Sequence, residues 1–486
     1  MPRNTHDTIQ KSTVAELFDV IIIGAGISGI GSASLLRKHC PNLSFAILES
    51  MDSFGGTWLI HKYPGARSDS DLFTFGYGFK PWKGEPIANR QQILDYLSEA
   101  IDDADLAPHI RYSHEVQSAD WSSESATWTL TVAHKGDDTP VKLEARFLWM
   151  CQGYYRHSEG YTPAWPGLDR FGGRVIHPQD WPEGIELSSK NVAVIGSGAT
   201  AATLIPALAE QCGHVTMLQR TPTYFAAGRN ADTLADELRR LDVDDAWIHE
   251  IMRRKVVRDR AELLERAKAA PDKLKELLIS GVKACLPEGF DVEQHFTPPY
   301  KHLQQRVAFV PDGDLFKTLR EGRASVVTDH IDRFTPEGIS LRSGEVLPAD
   351  VIVTATGLQL NLLGDVRLSL GGVPVDTSDM LVYKGMMFSG LPNVVNTFGY
   401  TNASWTLKAD LTARYFCRLL RHMDRHEKTV FTPTRDNKTQ PEPFLDFTSG
   451  YVQRAAAWLP KQGDRKPWRL YQNYVLDLLT LRFGQV

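Results

Sequence analysis

Two glycine-spaced loops carry much of the chemistry open to this sequence. Gly24, Gly26 and Gly29 stand at G-x-G-x-x-G spacing, and Gly196, Gly198 and Ala201 repeat the pattern with alanine last. At this spacing the first glycine permits a tight turn and the second lets backbone approach a pyrophosphate. The third lets a helix pack closely on a strand, and the helix N-terminus holds the phosphates. Phe18 and the run Val20 to Ile23 read as a buried strand before the first loop, and a helical pattern follows it. A second apolar run, Phe45 to Leu48, ends at Glu49, about 20 residues past the last glycine, where an acid accepts hydrogen bonds from a ribose diol. The second unit ends differently. HVTMLQRT places Gln219, Arg220 and Thr221 at the strand end. An arginine and a hydroxyl there suit a 2′-phosphate that an acid would repel.

An acid-ended site and an arginine-ended site in one chain suggest FAD plus NADPH, with hydride passing from nicotinamide to flavin. The final electron acceptor follows from what is missing. Cys40, Cys151, Cys212, Cys285 and Cys417 are scattered and form no C-x-x-C pair, so a dithiol acceptor is excluded. There is no HExxH and no Cys/His cluster, so no metal acceptor is expected. Molecular oxygen remains.

The elements that must position these groups read as an α/β protein. It has two Rossmann-like dinucleotide-binding domains, for FAD and for NADPH, with a helical insert in the NADPH domain. The expected order is an FAD domain first part over 1–150 and an NADPH domain first part over 151–228. A helical insert over 229–300, an NADPH domain second part over 301–385 and an FAD domain second part over 386–486 complete it. The strands RFLWMCQGYY (146–155) and ADVIVTATG (349–357) suit the crossings between domains, and the last hundred residues return to helical patterning. In the insert, leucines and isoleucines recur at helical spacing amid many charges, and its basic cluster RRKVVRDR (253–260) reads as a solvated helix face. The alternatives are that this face contacts a membrane surface or gates the substrate. The 486 residues, 42% hydrophobic and 23% charged, describe a globular protein of two or three domains. A net charge of -5 argues against general nucleic-acid binding. No apolar run has transmembrane length and no signal peptide opens the chain, so a cytoplasmic location is expected.

FGGRVIHPQDWP matches F-x-G-x-x-x-H-x-x-x-W-P, with Phe171, Gly173, His177, Trp181 and Pro182 in register. With GGTW (55–58), YPGARSDSD (63–71), QRTPTY (219–224), QQRVAFVPDGDLF (304–316) and GYTNASWTLKADL (399–411), the chain resembles the type I Baeyer–Villiger monooxygenases. Within them it is most similar to an actinobacterial branch that activates a thioamide prodrug. The resemblance spans nearly the whole chain. It implies oxygenation of ketones to esters or lactones through a C4a-peroxyflavin, with sulfide or thioamide S-oxygenation as a side activity. It also implies cofactor contacts from Gly56, Thr57 and Trp58, an active-site arginine at Arg306 and its partner carboxylate at Asp69. A guanidinium keeps the attacking peroxide anionic and stabilises the negative adduct. The motif around His177 is implied to couple the two domains rather than to touch substrate. One departure is Gln305, where relatives commonly have a lysine. The alternatives are a flavin-containing monooxygenase acting on soft nitrogen or sulfur, and an NADPH oxidase that releases peroxide.

Overall fold

The computed structural model describes residues 15–301, 307–445 and 449–486. The strand Glu16–Ile23 is parallel to Phe45–Leu48 on one side and to Val141–Met150 on the other. Val20, Ile21 and Ile22 are fully buried, as a strand covered on both faces requires. The N-terminal half of Val141–Met150 takes an antiparallel hairpin, His114–Ser122 with Thr127–His134. Its C-terminal half takes Val394–Asn396 in parallel. These strands belong to a nine-stranded sheet. The helix Trp405–Arg425, buried along Leu407, Leu411, Phe416 and Leu420, joins one core of this sheet.

The second sheet has five strands, all parallel. Its order is Ala324–Thr328, His214–Gln219, Asn191–Ile195, Val351–Thr354 and Arg174–Ile176. Period-two alternation sends Val192 and Val194 to one core, and Ala193 and Ile195 to the other. The strand Arg367–Leu370 pairs with His114–Ser122, so this part of the expected 301–385 segment belongs to the first sheet. The return to that sheet precedes residue 386. The C-terminal part is less helical than its pattern suggested. After Arg425 the described helices are short, Gly450–Ala455 and Tyr474–Leu478, the latter continued by a π-helical turn over Leu479–Phe483, because prolines and turn residues interrupt the chain. No helix among the described residues is long and apolar enough to cross a membrane.

The insert forms four helices, Thr233–Arg240, Asp245–Ala269, Pro271–Cys285 and Val292–Phe296. It straddles the two sheets. Ala235, Ile248 and Met252 join the first core, whereas Val282, Leu286, Val292 and Phe296 join the second. The basic cluster is only partly a solvated face. Arg254 and Arg258 are exposed and pair with Glu250 and Glu262 on their own helix. Arg253 is instead buried. Its guanidinium meets Asp410 of the helix Trp405–Arg425 at 3.3 Å, with the side chains 9% and 10% exposed. It also donates to the carbonyls of Phe73, Thr74 and Gly76 at 3.0 to 3.3 Å. A charge on the inward stripe of an otherwise polar helix cannot be told from its neighbours by spacing alone. Arg253→Ala should lower stability by about 3–5 kcal/mol, since it leaves the buried Asp410 without its cation and takes one donor each from the Phe73, Thr74 and Gly76 carbonyls, of which the last two keep Thr406 Oγ1. Denaturant unfolding measures this; a loss below ~1 kcal/mol would show that the pair does not hold the insert on the first sheet.

Candidate active site

In the first loop, Gly24 has φ +103°, and a Cβ there would lie 2.9 Å from the Cys151 carbonyl oxygen. At Gly29 a Cβ would lie 1.8 Å from the Gly24 carbonyl oxygen, so helix and loop touch as the third glycine demands. Gly26 is different. Its backbone is ordinary, φ -81°, and the nearest atom to an added Cβ would be the Gly56 Cα at 3.5 Å. Gly198 repeats this, with φ -78° and nothing within 4 Å. Neither backbone strain nor protein packing demands glycine at 26 or 198. Both residues leave space beside a helix N-terminus, which fits a pyrophosphate in each loop. Gly196, with φ +131°, faces the Ala355 carbonyl oxygen at 2.3 Å, and Ala201 is fully buried.

Glu49 stands at the end of its strand, 5% exposed. Its Oε2 accepts from the Ala25 N–H at 2.7 Å and its Oε1 from the Met51 N–H at 2.9 Å. Burial raises its pKa, and these hydrogen bonds oppose the rise. The carboxylate thus holds the glycine loop, with lone pairs left for a ribose. Arg220 is exposed and has no carboxylate partner among the described residues. Thr221 lies beside the second glycine loop, its carbonyl accepting from Ser197 Oγ at 3.2 Å. Gln219 turns inward, donating to the His295 carbonyl and to Thr328 Oγ1.

Gly55 and Gly56 have φ +125° and +55° and bring the short helix Thr57–Ile60 against the first loop. Thr57 opens that helix, and Trp58 is buried, edge-on to Phe75. From here the chain runs along the second domain. Lys62 pairs with Glu183 at 3.4 Å, and the Tyr63 hydroxyl bonds Thr200. A Cβ on Gly65 would lie 2.6 Å from the Thr203 carbonyl oxygen, and Arg67 forks onto Asp314. Asp69 follows on this strip, exposed, with Ser70 Oγ donating to it at 3.3 Å. Arg306 and Gln305 lie outside the described residues.

The fingerprint braces the crossings between the sheets. The two crossing segments pair with each other, Asn361 N–H to the Tyr154 carbonyl and Arg156 N–H to the Gln359 carbonyl, each at 2.8 Å. The Gly357 carbonyl accepts from the Tyr161 N–H at 3.0 Å and from His177 Nε2 at 3.1 Å. His177 Nδ1 accepts from the Gln179 N–H at 3.2 Å, which assigns the neutral Nε2–H tautomer. Burial lowers its pKa, consistent with that form. Phe171 is buried in one face of the second sheet, and Gly173 admits the Asp350 carbonyl, 2.2 Å from where a Cβ would be. Trp181 packs on the other face, against the same core as Tyr63, with Pro182 partly covered next to it. Sequence reasoning missed His61, Asp314 and Gly357. His61 sits near His157 and His177, its Nδ1 buried without a partner and its pKa lowered to about 4 by burial, with smaller contributions from those two rings. Gly357 was legible as the glycine that closes a crossing strand. His61 and Asp314 become recognisable only once the two domains face each other.

Two glycine-loop units on separate sheets, joined by a paired crossing and a strip of interdomain contacts, define a flavoprotein that handles two dinucleotides. The comparisons agree. Residues 84–233 match the flavin-binding monooxygenase-like family, and residues 22–97 match an NAD(P)-binding Rossmann-like domain. The chain is 46% identical over 481 residues to the FAD-containing monooxygenase EthA of Mycobacterium tuberculosis, covering 97% of each chain. It is 42% identical over 471 residues to the probable FAD-binding monooxygenase AlmA of an Acinetobacter species, covering 96% of this chain and 94% of that one. A steroid monooxygenase solved with NADP aligns at TM-score 0.73 and 23% identity, over 96% of this chain and 98% of that one. Cyclohexanone monooxygenase from Rhodococcus sp. Phi1, solved with NADP+, aligns at TM-score 0.71 and 22% identity, over 87% of each. The chain belongs to the FAD-containing monooxygenases.

Gly198→Val should fold with a stability within about 0.5 kcal/mol of wild type, because nothing lies near the new side chain. It should keep bound flavin while losing NADP+ affinity in equilibrium titration. Gly26→Val should instead yield flavin-free protein. The opposite pattern of cofactor loss would reverse the assignment of the two loops.

Proposed function

We propose that this enzyme uses NADPH and oxygen to insert one oxygen atom into ketones, giving esters or lactones, with sulfide or thioamide S-oxygenation as a side activity. The observation that carries the reading is the full F-x-G-x-x-x-H-x-x-x-W-P motif, which reaches from one face of the second sheet at Phe171 to the interdomain crossing at Gly357. Bound FAD supplies the hydride acceptor and the oxygen-activating chemistry. NADPH would be held by the loop at Gly196 and Gly198, with Arg220 and Thr221 at its 2′-phosphate. Gln305, standing where relatives place a lysine, puts more of that grip on Arg220.

Arg306 is the oxygenation residue in this reading. Its guanidinium stays charged at any working pH, so it stabilises negative charge building on oxygen without giving up a proton. Asp69, the partner carboxylate that the resemblance implies, would orient it. The strip from Lys62 to Arg67 runs along the second domain, and Asp69 follows two residues after Arg67. The hydrogen bonds from His177 and Tyr161 to the Gly357 carbonyl would steady the crossing while NADP+ is bound.

Arg306→Ala should bind FAD, be reduced by NADPH more slowly than wild type, and make almost no ester. A preorganised donor at developing charge is worth about 3–4 kcal/mol. The readout is ester formed per NADPH oxidised; a yield within a few-fold of wild type would assign the step to another residue. Arg220→Ala should raise the KM for NADPH far more than that for NADH, by the ~1.5–3 kcal/mol of a charged hydrogen bond. Equal effects on the two cofactors would remove Arg220 from the phosphate site.

A further inference from the structure

Away from the glycine loops, a cavity of about 190 Å³ opens between the C-terminal segment and the first turns of the helix Trp405–Arg425. Phe398, Tyr400, Leu470 and Leu481 give it apolar walls. Lys384, Lys408, Lys466 and Arg469 also face it, against the single carboxylate of Asp477. Two of these cations are already matched. Lys408 meets Asp477 at 3.0 Å, where the Tyr400 hydroxyl also donates at 2.7 Å. Arg469 has Glu442 at 3.8 Å.

Lys384 and Lys466 have no carboxylate among the described residues. The half-buried Lys384 ammonium donates to the Tyr415 hydroxyl at 3.0 Å and to the Gln485 carbonyl at 2.8 Å, both neutral acceptors. The neighbouring Arg418 guanidinium is likewise held by neutral acceptors, the carbonyls of Leu481, Arg482 and Gly484. Burial, with a smaller push from Arg418, brings the Lys384 ammonium down to about 8. Lys466 is exposed at the rim, its ammonium over the Tyr471 ring at 5.6 Å. The Lys384 N–H donates to the Pro467 carbonyl at 2.8 Å, so the two lysines share one wall.

Positive charge held in a partly apolar cavity without a counter-ion is unfavourable, and an anion with its own apolar body relieves it. We propose that this cavity binds an aliphatic carboxylate, its chain along Phe398, Leu470 and Leu481 and its carboxylate between Lys384 and Lys466. The chain shields the lysines from water and strengthens the ion contact; the ion contact fixes the chain's direction. The site stands independently of the oxygenation reading, since it uses none of the residues assigned there.

Isothermal titration of the FAD-loaded protein with octanoate and with octylamine tests it. Octanoate should bind saturably and octylamine should not, although their chains match. Lys384→Gln and Lys466→Gln should each weaken octanoate by about tenfold or more, the value of one charged hydrogen bond, and leave NADP+ affinity unchanged. Lys466 is exposed, so its variant keeps the test valid if Lys384→Gln does not fold. Absence of octanoate binding, equal binding of octylamine, or an unchanged affinity in Lys466→Gln would each overturn the proposal.

Discussion

Hydride passes only between groups held in contact, and here the two glycine loops proposed to hold those groups belong to different sheets. A sheet can place a dinucleotide with its own loop and helix, but it cannot fix where the other sheet's ligand lies. That relation rests on a short list of contacts: the paired crossing segments, the Gly357 carbonyl that collects His177 and Tyr161, and the strip from Lys62 to Arg67 along the second domain. Most are hydrogen bonds or ion pairs rather than deep apolar packing. Such an interface keeps direction while costing little to rearrange.

The insert works on the same relation from the other side. Its first helices join the core of the first sheet, anchored by Arg253 on Asp410, and its last helices join the second. A chain segment interrupting one domain is therefore attached to both. The buried ion pair adds little net free energy against an apolar equivalent, but breaking it is expensive, so it fixes where the helix sits.

Much of this was legible in the residues. The two glycine loops, their flanking strands and the acid-to-arginine difference at the second strand ends are local patterns, and local patterns survive folding. Gly29 shows why: its partner is the Gly24 carbonyl, five residues back in the chain. What could not be read depends on distant pairing. Arg253 looks like Arg254 in sequence, and only the position of Asp410 separates them. The strand Arg367–Leu370 is brief, and only its pairing with His114–Ser122 assigns it to the first sheet. His61 acquires meaning from His157 and His177, more than ninety residues away.

The proposed reaction puts oxygen into a ketone rather than releasing it as peroxide. The direct measurement is turnover of 2-octanone with NADPH under ¹⁸O₂, with the products analysed by mass spectrometry and NADPH oxidation followed in parallel. An ester carrying one labelled oxygen for each NADPH consumed is expected. NADPH consumption matched by hydrogen peroxide, with no labelled ester from this or other ketones, would contradict it.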